Sequence, residues 1–287
     1  MTSFTSESGT ATGTVTGIIG RWISAAAFAA LALTTISGCA ANSGSGATNA
    51  QARPDLVTDS DEPEARKRAR IRVQLASGYF EQGQTSVALD ELKQAITNDP
   101  GFAEAYNLRG LIYMRLNDPR LAEDSFRRAV ALNPRDADAL HNFGWFFCQQ
   151  GRFAEAEQSF AQALASPVYG DQAKTLMAQG ICQARAGRTA DAERTLARSY
   201  ELDAANPVTG YTLANLMYRR GDFQRAQFYI RRLNNSELAN AESLWLGIRV
   251  ERRLDDRVAM LQLVDQLRRR FPQSREMAAY ERGAFNE

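Results

Sequence analysis

Histidine occurs once in the 287 residues, at His141, and cysteine three times, at Cys39, Cys148 and Cys182. So small a set cannot assemble the His/Cys clusters that hold zinc, and no carboxylates carry the spacing of a calcium loop. No metal and no other cofactor is expected. An excess of charge is missing too: 34 Lys+Arg stand against 33 Asp+Glu, which leaves no basic surface to attract a nucleic acid. There is no Ser/His/Asp or Cys/His arrangement and no glycine-rich phosphate loop, so neither catalysis nor a small-molecule substrate is expected. Paired acids such as Glu155 and Glu157 fall on outward positions of a helical pattern and read as a solvated face. What is present excludes a wholly disordered chain, because 44% of residues are hydrophobic and 9% aromatic.

The first 20 residues are rich in Ser, Thr and Gly, and Arg21 precedes an apolar run from Trp22 to Ile36. That run is shorter than the roughly 20 residues needed to span a bilayer as a helix, and it ends in small residues, as a cleaved signal peptide does. The polar stretch ahead of Arg21 departs from a compact signal peptide and suggests a translation start downstream of Met1. The boundary Ile36-Ser37-Gly38-Cys39 resembles the bacterial lipobox, in which the cysteine is acylated and becomes the mature N-terminus. The resemblance implies residues 1–38 as lipoprotein signal peptide and Cys39 as lipid anchor. Ala40 stands where aspartate would favour inner-membrane retention, which implies the periplasmic face of the outer membrane. Several acyl chains on one residue anchor stably, at about 0.8 kcal/mol per buried methylene.

Residues 39–68 are Ala/Asn/Ser/Gly-rich and then mixed-charge, with Pro54 and Pro63. They read as a tether with a root-mean-square span of roughly 30 Å. Residues 69–287 form the expected folded domain.

That domain repeats itself every 34 residues. Ala88, Ala122 and Ala156 keep the spacing, as do Leu92, Phe126 and Phe160; Ala95, Ala129 and Ala163; Pro100 and Pro134; Gly110 and Gly144. The pattern resembles the tetratricopeptide repeat, which implies an all-α, right-handed solenoid of six helix-turn-helix repeats with a short C-terminal capping helix after Pro272. Repeats begin near Ala69, Ala103, Ala137, Ala173, Pro207 and Ala241. The fourth is displaced by the Pro167–Asp171 connection, and in the sixth Gly247 sits one place early and Asp255 replaces the turn glycine. Gly110, Gly144 and Gly180 are expected to let paired helices approach, with the recurring second-helix alanines filling the gap opposite. Gly83, Gly151, Gly187 and Gly221 are expected to end first helices in the left-handed conformation.

In such a solenoid the first helices line the concave surface through repeat positions 5, 9 and 12. Leu111, Met114, His141, Trp145, Met177, Ile181, Tyr211 and Tyr218 occupy these positions. They form an apolar candidate partner-binding groove with Trp145 as its anchor, or they pack inside the superhelix. The Lys/Asn set of a carboxylate clamp is missing, which favours an extended segment or amphipathic helix as partner. Cys148 and Cys182, 34 residues apart on neighbouring first helices, are either a disulfide or two buried thiols.

The text His141-Asn142-Phe143-Gly144-Trp145-Phe146-Phe147-Cys148, then Gly151-Arg152-Phe153, Ala165 to Tyr169, Gly180-Ile181-Cys182 and the ending Tyr280 to Phe285 resembles the type IV pilus biogenesis and stability lipoproteins, the PilF/PilW group. That resemblance implies the disulfide at Cys148 and Cys182 and the lipid at Cys39. It further implies a monomeric pilotin that binds secretin subunits and promotes their localisation and multimerisation, without catalysis. A scaffold for outer-membrane β-barrel assembly and an activator of a cell-wall enzyme are the alternatives.

Overall fold

A computed structural model describes residues 61–285. The lipobox, Cys39 and most of the expected tether lie outside the described residues. Among the latter the secondary structure is helical throughout. The six repeats are α1 (Glu64–Glu81) with α2 (Thr85–Asn98), α3 (Ala103–Arg115) with α4 (Pro119–Leu132), α5 (Ala137–Gln149) with α6 (Phe153–Leu164), α7 (Gln172–Arg185) with α8 (Thr189–Leu202), α9 (Pro207–Arg220) with α10 (Phe223–Asn234), and α11 (Ala241–Arg253) with α12 (Arg257–Arg270). A seven-residue α13 (Arg275–Glu281) follows Pro272. Helix α1 opens at Glu64, inside the stretch expected to be tether, and its first two turns carry ion pairs from Arg66 to Asp99 and from Arg70 to Glu62.

Helix starts are written in short polar side chains. Asp118, Asp136, Asn206, Asp222, Asp256 and Ser274 each accept a hydrogen bond from a backbone N–H of the first turn, and Asn240 forms a capping box with Ser243. Caps of this kind contribute about 1 kcal/mol each. Within every repeat the chain reverses through one residue of positive φ: Gly83, Asn117, Gly151, Gly187, Gly221 and Asp255, at 78°, 56°, 73°, 77°, 85° and 59°. Glycine enters this region without steric cost, and Asn and Asp are the side chains that tolerate it best, so the turn is the same in all six repeats although two lack glycine.

Packing within a repeat rests on a small residue facing a large one. A β-carbon on Gly110 would lie 2.6 Å from the Phe126 ring, on Gly144 2.9 Å from Phe160, and on Gly180 2.5 Å from Leu196. The expectation had the second-helix alanines opposite these glycines. The structure instead places the large second-helix residue there, and Ala122, Ala156 and Ala192 are buried one turn earlier on the same helices. Phe126, Phe160 and Leu196 are fully buried, each contributing on the order of 2–3 kcal/mol by removal of apolar surface from water. In the sixth repeat Gly247 meets Asn234 and Leu263 instead, which accommodates its one-residue displacement.

Neighbouring repeats are joined by charge as well. Glu123 holds Arg152 of the next repeat at 2.8 Å, Glu157 holds Arg188 at 2.5 Å, and Glu193 takes Arg225 at 2.6 Å together with Arg220. Glu157 also accepts from Gln179 and Gln183, and Glu155 pairs with Arg152, so the two acids that read as a solvated face belong to these ion-pair and hydrogen-bond contacts. As partly exposed pairs each is worth about 1 kcal/mol or less.

Candidate functional site

The layering of the solenoid decides which face can receive a partner. First helices touch the first helices of adjacent repeats all along the stack, α1 to α3, α3 to α5, α5 to α7, α7 to α9, α9 to α11 and α11 to α13. Among the described residues no second helix touches another second helix. The layer of first helices is therefore the tighter one, and the solenoid curves around it, which makes their free faces the concave lining.

Seven of the eight expected groove residues are half-buried there: Leu111, Met114, Trp145, Met177, Ile181, Tyr211 and Tyr218. They fall into two groups. Leu111, Met114 and Trp145 pack on the cluster built by Phe126, Phe143, Phe146, Phe147 and Phe160. Met177, Ile181, Tyr211 and Tyr218 pack on the cluster around Leu213, Met217 and Leu246. Each side chain thus has one face in the core and another toward the groove, so the two sequence-based readings, partner surface and internal packing, describe opposite sides of the same residues.

His141 is the exception. It is 7% exposed, so it is a core residue and not a groove contact. Its Nδ1 lies 2.8 Å from Thr175 Oγ1, which is 2.9 Å from the Tyr169 hydroxyl. The connection between α6 and α7 is two residues longer than the repeat requires and delivers Tyr169 to this chain of polar groups. Burial, with Lys174 nearby, brings the His141 pKa down to about 4, and burial pushes that of Tyr169 up to about 12. The imidazole is neutral at ordinary pH and holds α5 to α7.

Beneath Trp145, Cys148 and Cys182 are joined as a disulfide with their Cα atoms 5.7 Å apart, and both are buried among the phenylalanines. The bridge links α5 to α7, the two first helices that carry Trp145 and Ile181.

The groove is less purely apolar than its positions 5, 9 and 12 suggest. Guanidinium groups stack over its rings: Arg115 over Phe80 at 5.3 Å, Arg185 over Trp145 at 5.2 Å and Arg249 over Tyr218 at 4.6 Å. In each case the arginine comes from the repeat after the ring. Cation–π contacts of this kind contribute about 0.5–1 kcal/mol where exposed and more when desolvated. Among the described residues none of these three arginines has a carboxylate partner. Three positions per repeat could not reveal them, since the pairing runs across repeats. The sequence pattern also passed over an open hollow of about 900 Å³ between α1 and α2, where Ile71 and Leu75 stand beside Arg68, Arg72 and Lys93. Its signal was the i, i+4 pair of exposed apolar residues on a basic helix.

No group of His, Cys, Asp and Glu able to hold a metal ion occurs among the described residues, and no described helix is long and apolar enough to cross a membrane.

Comparison with known proteins agrees with this architecture. The tetratricopeptide repeat family matches residues 73–137, 108–169 and 147–207. The type IV pilus assembly protein PilF of Pseudomonas aeruginosa is 29% identical over 226 residues, 79% of this chain and 88% of that protein. Its solved structure superposes with a TM-score of 0.70 at 27% identity, over 77% of this chain and all of the other. The crystal structure of PilW, described as a widely conserved type IV pilus biogenesis factor, superposes with a TM-score of 0.68 at 30% identity, over 74% of this chain and 97% of PilW. The chain belongs to the PilF/PilW family of tetratricopeptide-repeat proteins.

Proposed function

We propose that this protein serves type IV pilus biogenesis as a lipid-anchored binding protein of the outer membrane, whose concave groove captures secretin subunits and promotes their assembly into a multimer. The observation that carries the reading is the continuous, half-buried lining of Trp145, Ile181, Tyr211 and Tyr218 on a rigid stack of first helices. Exposed aromatic and aliphatic side chains held in place by a core are what protein interfaces use as anchors. Family membership supplies the pilus context, and the lipobox text ending in Cys39 supplies the anchor. Tethering the groove at a membrane raises its effective concentration toward a partner inserting into that membrane, which favours assembly without chemistry.

The test is the amount of heat-stable secretin multimer in outer membranes from cells with and without the protein, with Cys39→Ala as a third arm. Loss of multimer on deletion is the expected result, and Cys39→Ala should release the protein from the membrane fraction. Unchanged multimer rejects the secretin role and turns attention to β-barrel assembly or a cell-wall enzyme. Unchanged membrane fractionation of Cys39→Ala rejects the lipid anchor.

A further inference from the structure

The C-terminal end of the chain shows what kind of side chain the groove accepts. Counted from Ala241, groove positions 5, 9 and 12 of the sixth repeat are Trp245, Arg249 and Arg252. Helix α13 stacks on α11 as the first helix of a seventh repeat would, with Met277 buried, but it stops after Glu281. Gly283, at φ 67°, turns the chain back, and Phe285 comes to rest on the sixth-repeat lining. Its ring stacks on Trp245 with centroids 5.3 Å apart and planes 27° apart, and the Arg252 guanidinium also lies over it with Cζ 3.8 Å from the ring centroid. Tyr280 meets the ring edge-on. The tail is thus a non-helical segment of this chain lying on its own groove surface, fixed by one aromatic side chain in contact with both an indole and a guanidinium. Trp245 is 9% exposed.

The same two groups recur without such a segment three repeats earlier, where Arg185 lies directly over the half-buried Trp145. Arg185 is exposed, has no carboxylate partner among the described residues, and reaches the indole from the following repeat. A flexible guanidinium can lift from one ring and settle on another without losing its cation–π contact, so an incoming ring placed on Trp145 would be covered as Phe285 is by Arg252. The disulfide and the phenylalanine cluster hold the indole from below, so it is a preformed platform.

We propose that Trp145 and Arg185 form a socket for an aromatic side chain carried on an extended segment of the partner protein. The inference rests on the groove reading above and specifies the chemistry of the ligand. It differs from a general apolar groove, for which any Leu or Ile of similar size would serve.

The probe is a fluorescein-labelled peptide with the sequence of residues 281–287, Glu-Arg-Gly-Ala-Phe-Asn-Glu, measured by anisotropy against the full chain. A second peptide has the phenylalanine replaced by alanine. The first should bind, and the second should bind at least about tenfold more weakly. Trp145→Ala should lose about tenfold in affinity for the first peptide, and Arg185→Ala about threefold. Trp145→Leu keeps apolar bulk over the cluster, and should lose the preference for phenylalanine while melting like the parent. With benzoylphenylalanine in place of phenylalanine, photo-cross-links should fall on α5 and α7. No binding, equal binding of the two peptides, an unchanged affinity in Trp145→Leu, or cross-links confined to α11 would each overturn the socket. If the peptide arms fail while the secretin multimer still requires Trp145, the aromatic assignment falls and the secretin reading stands. If the peptide behaves as expected and the multimer forms without the protein, the socket stands and the partner is another protein.

Discussion

Gly110 and Phe126 share one packing site: a single β-carbon on residue 110 would stand 2.6 Å from the ring that fills the space above it. The same exchange of small against large is made by Ala76 with Leu92 and by Ala214 with Ile230, all four fully buried. An alanine is therefore accommodated in the first and fifth repeats, and excluded at Gly110, Gly144 and Gly180, where the large residue opposite, Phe126, Phe160 or Leu196, already stands within 3 Å of the place a β-carbon would take.

Gly110→Ala should for this reason destabilise the protein although alanine is the better helix former. Overpacking costs about 1–3 kcal/mol, and the gain in helix propensity returns up to about 1 kcal/mol, so a net loss of about 1–2 kcal/mol is expected. Adding Phe126→Leu should recover part of it by restoring the Ala/Leu pairing of the first repeat. Urea denaturation of the single and double variants measures both, and a single variant as stable as the parent would show that the helices can separate freely.

The disulfide between Cys148 and Cys182 closes a long loop inside the cluster that supports Trp145. On the chain-entropy account, opening a loop of that length loses about 4 kcal/mol. Replacing both cysteines by serine should lower the melting temperature, and the variant should no longer respond to dithiothreitol. The reduced parent should melt as the variant does. Equal melting of oxidised parent and variant would mean that the bridge adds nothing the helix packing has not already fixed.

Much of this fold was legible because the 34-residue period repeats its structural instructions six times. The turn glycines mark places where few residue types fit, whereas the residues facing Gly110, Gly144 and Gly180, expected to be alanines, are the large Phe126, Phe160 and Leu196, because spacing alone does not say which second-helix position meets a first-helix glycine. Asn117 escaped notice because the same left-handed turn is made there by a residue that is not glycine. The site was legible to the level of which helix faces inward. It was not legible to the level of which side chains remain accessible, because that depends on neighbours contributed by other repeats. His141 occupies a lining position yet is sealed by Thr175 and, through it, Tyr169, and the arginines over Phe80, Trp145 and Tyr218 each arrive from the next repeat. Periodicity reports a residue's direction and is silent on what a neighbouring repeat lays over it.

The buried imidazole makes stability depend on pH in a defined window. An unfolded chain binds a proton at His141 near pH 6.5, whereas the folded protein resists until about 4. The unfolded state therefore holds more protons between these values, and stability falls as pH drops from 6.5 to 4, by roughly 3 kcal/mol from this group. His141→Gln keeps a polar partner for Thr175 and removes the titration. The difference in unfolding free energy between parent and variant, followed by urea titration from pH 7 to pH 4, should change across that window. A constant difference would mean that the imidazole is not sealed from water.

At the other end of the stack Glu251 is the most fully buried charge of the described residues, and its carboxylate is held by three donors on α10. Arg231 contributes Nε at 2.7 Å and Nη2 at 3.0 Å, and Gln227 contributes Nε2 at 2.7 Å. Arg231 also reaches Asp256 at 3.0 Å, so one guanidinium ties α10 to both ends of the turn that follows α11. Only Glu251 is buried in this pair, so removing Arg231 leaves a buried carboxylate without its main compensation, which costs about 3 kcal/mol, whereas removing both charges together costs far less. Arg231→Met should therefore destabilise strongly, and Arg231→Met combined with Glu251→Gln should recover most of the loss. Because the pair joins the fifth repeat to the sixth, the single variant should release α11 to α13 first, seen as faster amide hydrogen exchange there than in α3 to α6. Uniform acceleration along the chain would show that the solenoid opens as one unit, and a double variant no better than the single would mean that Glu251 is retained for packing and not for its charge.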